Sequence, residues 1–118
     1  MKLIAVVIFS WLFIGCADTQ VHHERYYQTK LCKKMDGIME YTLKDRTRVD
    51  CLTPEYAIEV DFAKKWAESI GQSLYYAKMT GKKPAVGFII NREKERRYLK
   101  RLKLIAKEYG ITVFLIEK

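Results

Sequence analysis

The sequence predicts a mixed α/β domain, an α/β sandwich in the order helix, three strands, helix, strand, helix, strand. Three observations carry this. Tyr56 to Phe62 alternates strictly, with Tyr56, Ile58, Val60 and Phe62 on one side and Ala57, Glu59 and Asp61 on the other. Two later segments switch to a helical period. Between and after them lie Pro84 to Ile90 and Ile111 to Ile116, short apolar runs of the kind that parallel strands covered on both faces require. Strands and helices alternating in this way favour parallel pairings after an initial meander. A chain of 118 residues has room for one such domain and excludes a second, and its 49% hydrophobic content is ordinary for a globular fold.

The N-terminus reads differently. Lys2 precedes an apolar run from Leu3 to Ile14 that only Ser10 interrupts, too short to cross a bilayer comfortably and typical of a cleaved signal peptide over residues 1–15. Phe13-Ile14-Gly15-Cys16 resembles the lipobox of bacterial lipoproteins, which implies a lipidated Cys16 and a membrane anchor in the cell envelope, on its periplasmic or extracellular face. Ordinary secretory cleavage after Ala17 is the competing reading, since Gly15 and Ala17 form a small-x-small site. Residues 16–24 are polar and aperiodic, as a tether would be, with His22 and His23 as solvated linker residues. The folded domain is then expected over residues 25–118.

Its first helix is expected from about Arg25 to Lys34, with Tyr27, Leu31 and Met35 along one side. Gly37 breaks that pattern. Ile38 to Leu43 and Thr47 to Leu52 read as two strands joined through Lys44-Asp45, and on the second strand Arg48 and Asp50 should oppose Val49 and Cys51. After the third strand, Ala63, Trp66, Ala67, Ile70, Leu74 and Ala77 make an apolar helical stripe ending before Gly81. The last helix buries Tyr98, Leu99, Leu102, Ile105, Ala106 and Tyr109, and Gly110 stops it.

With Cys16 lipidated or cleaved off, Cys32 and Cys51 form an even pair in an oxidising compartment, where a disulfide is the expected state. Closing a loop of about 19 residues contributes roughly 3 kcal/mol by chain entropy. Zinc suits the chain poorly, because these cysteines and His22-His23 lack paired ligand spacing. The formal charge is +8, and loss of Lys2 leaves +7. Such a balance favours anionic partners, whether nucleic acid, phospholipid headgroups or wall polyanions, or serves solubility alone.

Chemistry is expected where carboxylates converge. Asp50 on the second strand and Glu59 with Asp61 on the third can offer a hard divalent cation several oxygen ligands, with magnesium the default. Arg48-Val49-Asp50, then Ala57-Ile58-Glu59-Val60-Asp61, then Gly71-Gln72 on the following helix, resembles the PD-(D/E)xK nuclease superfamily over roughly residues 37–91. The resemblance implies a three-layer sandwich with a restriction-endonuclease-like mixed sheet. It implies Asp50 and Glu59 as magnesium ligands, Gln72 as a site residue, and Glu40 as an acid supplied earlier in the chain.

Position 61 departs from the pattern, holding Asp where the superfamily has Lys. Lys65 or Lys64 on the next helix can replace that charge, and Lys65, Glu68, Gln72 and Tyr76 share one helical face at spacings of three and four. Asp61 would then be a further metal ligand, or, in a degenerate site, an ion-pair partner of Lys65 or Arg48. A bland alternative makes Glu59 and Asp61 the exposed face of an edge strand paired to Arg48. On the last helix Arg96, Arg97, Lys100 and Arg101 are candidate nucleic-acid contacts, or a membrane-facing or merely solvated surface. The functions that follow are an exported metal-dependent nuclease, a non-cutting binder of nucleic acid or another polyanion, and a structural lipoprotein.

Overall fold

The computed structural model describes residues 22–118, so the expected signal peptide, Cys16 and most of the expected tether lie outside the described residues. Elements follow in the order α1 (Glu24–Lys34), β1 (Ile38–Thr42), β2 (Arg48–Leu52), β3 (Tyr56–Phe62), α2 (Trp66–Thr80), β4 (Lys83–Ile90), α3 (Arg96–Tyr109) and β5 (Thr112–Glu117), with a 3-10 turn at Ala63–Lys65 leading into α2. The five strands form one mixed sheet in sequence order. β1, β2 and β3 are antiparallel, whereas β3, β4 and β5 are parallel and in continuous register from Tyr56↔Lys83 to Phe62↔Ile89 and from Ala85↔Thr112 to Ile90↔Glu117.

The alternation along β4 divides the core between the two sheet faces. Ala85 and Ile89 pack with Ile58, Val60, Tyr27 and Cys32, so α1 covers one face. Val86, Phe88 and Ile90 pack with Leu102, Ala106, Trp66, Ile70 and Leu74, so α2 and α3 cover the other. Gly87 lets α1 approach: a Cβ there would sit 2.8 Å from Leu31 Cδ2. Both long helices end as their glycines require, with Gly81 and Gly110 in the left-handed region at φ 76° and 68°.

Cys32 and Cys51 are bonded, with their Cα atoms 5.6 Å apart, which ties the end of α1 to β2. The hairpin turn is also as expected. Asp45 Oδ1 accepts from the Thr47 amide at 3.0 Å and its hydroxyl at 2.6 Å, and Tyr75 on α2 donates to the same carboxylate.

The structure corrects the sequence reading in four places. Ala67 is exposed, and the α2 face that meets the sheet is Ser69, Ser73 and Tyr76, not the apolar stripe alone. Ser69 and Ser73 satisfy their hydroxyls on the carbonyls of Trp66 and Ile70, so these small residues can be buried against the strands while Trp66, Ile70 and Leu74 turn toward α3. Tyr76, placed by spacing on the polar face, is buried with Val49 and Ala57. On α3, Tyr109 is 55% exposed because the helix runs past the edge of the core.

The fourth correction concerns β2. Val49 and Cys51 do not share a face: Cys51 packs on the α1 side and Val49 with Tyr76. Between the pairs Met39↔Cys51 and Tyr41↔Val49, Glu40 has φ 53°, a left-handed conformation that breaks the two-residue alternation opposite Asp50.

Candidate active site

The site begins where the sheet stops being regular. β2 and β3 pair only at Cys51↔Ile58 and Leu52↔Ala57. Beyond them Asp50 Oδ2 takes the Val60 amide at 2.7 Å, so a side chain replaces the next ladder acceptor and the strands part. The parted strands present Asp50, Glu59 and Asp61 to one another. Glu59 and Asp61 are 4% and 5% exposed, and β3 is the middle strand of five. The reading of these two as the solvated face of an edge strand is therefore overturned, and Arg48 pairs with Glu40 at 3.5 Å instead.

Crowding three carboxyl groups, two of them buried, raises the proton affinity of each. Glu59 is pushed up to about 11, first by burial and then by the charge of Asp50, with Asp61 adding to the rise. Burial raises Asp61 to about 6, against the lowering effect of its bond to Glu59. Asp50 is raised too, by burial, with the Val60 amide opposing. The Gln72 amide, with its nitrogen toward β3, donates to Glu59 Oε2 at 2.8 Å and Oε1 at 3.2 Å. Asp61 Oδ2 is buried and has no hydrogen-bond partner among the described residues.

Two residues on α1 belong to this cluster although the sequence reading assigned them no role. Gln28, 4% exposed, donates through Nε2 to Glu40 Oε2 at 2.8 Å and to the Asp50 carbonyl at 2.9 Å. Glu24 lies one helical turn earlier, inside α1 and not in the tether. Its proton affinity is raised to about 7 by burial, then by the charges of Asp61 and Asp50. The spacing of four between Glu24 and Gln28 was the available signal. Tyr76 is raised to about 12 by burial and by Glu59 and Asp50, which places its hydroxyl in the same field.

Of the residues singled out beforehand, Asp50, Glu59, Asp61 and Gln72 come together. Lys65 is exposed at the start of α2, where its charge lowers both Asp61 and Glu24. No ion pair joins Asp61 to Lys65 or Arg48 among the described residues. Arg96, Arg97, Lys100 and Arg101 are exposed on α3, and Arg101 lies 5.9 Å from the ring centres of Trp66 and Tyr98. Because α2 and α3 follow the carboxyl ends of parallel strands β3 and β4, Lys64, Lys65, Arg96 and Arg97 gather at the sheet edge that also holds Asp61.

The donor set is all hard oxygen, which fits magnesium or a similar cation, and the unpartnered Asp61 Oδ2 is an oxygen that such an ion would satisfy. No three His, Cys, Asp or Glu side chains among the described residues are arranged around a common metal position. Fold and site thus define an α/β domain with a buried carboxyl cluster at a split in its sheet. No protein-family model, curated protein or solved structure matches the chain.

Proposed function

We propose that the chain is a metal-dependent phosphodiester hydrolase of the PD-(D/E)xK type, with a restriction-endonuclease-like sandwich, acting on nucleic acid outside the cytoplasm. The observation that carries this reading is the buried pair Glu59 and Asp61 with half-buried Asp50 beside them and one Asp61 carboxylate oxygen left unpartnered among the described residues. A core does not gain stability from three neighbouring acids, so their placement is explained by a ligand that neutralises them. Asp50, Glu59 and Asp61 would hold magnesium, which when bound supplies a water of lowered proton affinity. Gln72 orients Glu59. Lys65 supplies the positive charge that position 61 does not, and the basic edge formed with Arg96 and Arg97 guides the polyanion, with Lys100 and Arg101 extending it along α3. Export and a lipid anchor at Cys16 belong to the same reading.

Magnesium titration by calorimetry, beside a plasmid-cleavage assay, tests it. The native chain binds magnesium and nicks the plasmid, and Asp50→Ala loses both, whereas Arg97→Ala weakens DNA binding and keeps metal binding. A native chain that takes up no divalent cation would end the proposal. A second reading, a non-cutting polyanion binder, is favoured by Asp61 standing in the lysine position and by the exposed placement of Lys65, which forms no ion pair among the described residues. It predicts DNA binding that magnesium does not alter.

A further inference from the structure

The mouth of the carboxyl cluster holds a second arrangement. Arg25 on α1 and Arg48 on β2, remote in sequence, both direct their guanidinium groups at Glu40, with Arg25 Nη2 at 4.0 Å from Oε2 and Arg48 Nε at 3.5 Å from Oε1. Their side chains are 66% and 62% exposed, and among the described residues neither makes a hydrogen bond that engages its remaining N–H groups. Glu40 already receives the Gln28 amide at 2.8 Å. It therefore has a neutral donor of its own, and two guanidinium groups are more positive charge than it needs. Its backbone is held at φ 53°, an unfavourable conformation for a glutamate, and this sets the carboxylate between the two arginines and beside Asp50.

The charge pattern gives these arginines a purpose. A phosphodiester approaching Glu24, Asp50, Glu59 and Asp61 meets acids, and Lys65 stands on the α2 side of the cleft. Arg48 is close enough for its charge to act on Asp50. On the α1 and β2 side, Arg25 and Arg48 are the cations, and their planar forks suit phosphate oxygens.

We propose that Arg25 and Arg48, aligned by Glu40 and Gln28, form a phosphate clamp that holds the nucleic-acid backbone next to the carboxyl cluster. This rests on reading that cluster as a phosphodiester site. The clamp binds one or two phosphates neighbouring the reacting one, and Glu40 is a positioning residue that never meets the substrate.

The test is binding of a fluorescent single-stranded DNA oligonucleotide to the full chain over a range of salt concentrations, without magnesium. Substituting both Arg25→Ala and Arg48→Ala lowers the slope of log affinity against log salt by about 0.7 for each arginine and weakens binding roughly tenfold at moderate salt. Arg48→Lys keeps the slope. Adding Glu40→Gln to the doubly substituted chain leaves binding weak, because the lost contacts were to phosphate. An unchanged slope, or recovery of full affinity with Glu40→Gln, would overturn the clamp and show that the arginines serve only to neutralise Glu40. In a parallel cleavage assay with magnesium added, a native chain that binds the oligonucleotide but never cleaves it ends the hydrolase reading and leaves the clamp standing. One that cleaves while the doubly substituted chain keeps its slope does the reverse, and a native chain that fails to bind ends both.

Discussion

The parallel and antiparallel halves of the sheet are built to different standards. In the parallel half, β3 to β5 run in unbroken register and positive φ occurs only at Gly81 and Gly110, where helix ends require it. In the antiparallel half, Asp36, Glu40 and Arg46 take φ of 59°, 53° and 75° without being glycine, and β2 leaves β3 after two paired positions. Irregularity of this kind costs stability and persists where the surroundings enforce it, commonly at sites of function. The regular half serves as a foundation, and the irregular half spends its stability on aiming side chains into the seam.

The largest effect should come from the seam itself. Asp61 has its folded proton affinity raised from 3.8 to about 6 and Glu59 from 4.5 to about 11, so each binds a proton more tightly folded than unfolded. Their stabilising contribution is complete at low pH. It is lost as pH rises, for Asp61 between 3.8 and about 6, and for Glu59 from 4.5 upward through neutral pH. Denaturant melts of the metal-free chain should therefore show higher stability at pH 4.5 than at pH 8. Glu59→Gln should flatten that profile, and magnesium at 100 times its dissociation constant should restore about 2.7 kcal/mol at pH 8 to the native chain only. A chain more stable at pH 8 without metal would mean that the seam is not strained by charge.

In the foundation, Leu102→Ala should lower unfolding free energy by about 2–5 kcal/mol with no change in pH dependence, since Leu102 is fully buried among Val86, Phe88 and Ile90. Replacing Cys32 and Cys51 together by serine should cost about 3 kcal/mol. It should also weaken magnesium binding, because the bridge lies one helical turn from Gln28 and next to Asp50, and calorimetry separates the two effects. The smallest effect is at the hairpin. Arg46 is exposed at φ 75°, so Arg46→Gly should raise stability by about 1 kcal/mol, read as a shift in the melting midpoint.

The same division governs how much the sequence disclosed. β3, β4, β5, α2 and α3 were legible because period, apolar runs and terminal glycines all agree there. Glu59, Asp61 and Gln72 could be singled out, as strand alternation and helix spacing place them on known faces, and Asp50 was singled out although the alternation expected for its strand does not hold. The buried side of α2 was misjudged because serine carries no apolar signal, although Ser69 and Ser73 satisfy themselves on their own helix. Gln28 and Glu24 escaped notice since a polar residue on a short helix is ordinarily solvated. Glu40 gave no warning of its conformation, which its neighbours impose. That it would bend the pleat and send Val49 and Cys51 to opposite faces was beyond any alternation rule.

Gly37 carries a consequence of its own. A Cβ at this position would lie 2.5 Å from Cys51 Sγ and 2.9 Å from Cys32 Sγ, although the backbone conformation is open to any residue. The smallest residue is thus what lets the two sulfurs meet. For Gly37→Ala the first symptom would be chemical, two free thiols at Cys32 and Cys51, and the loss of the bridge would precede any change in the sheet. Position 37 thus decides whether the Cys32–Cys51 bridge can close, and with it whether α1 is tied to β2.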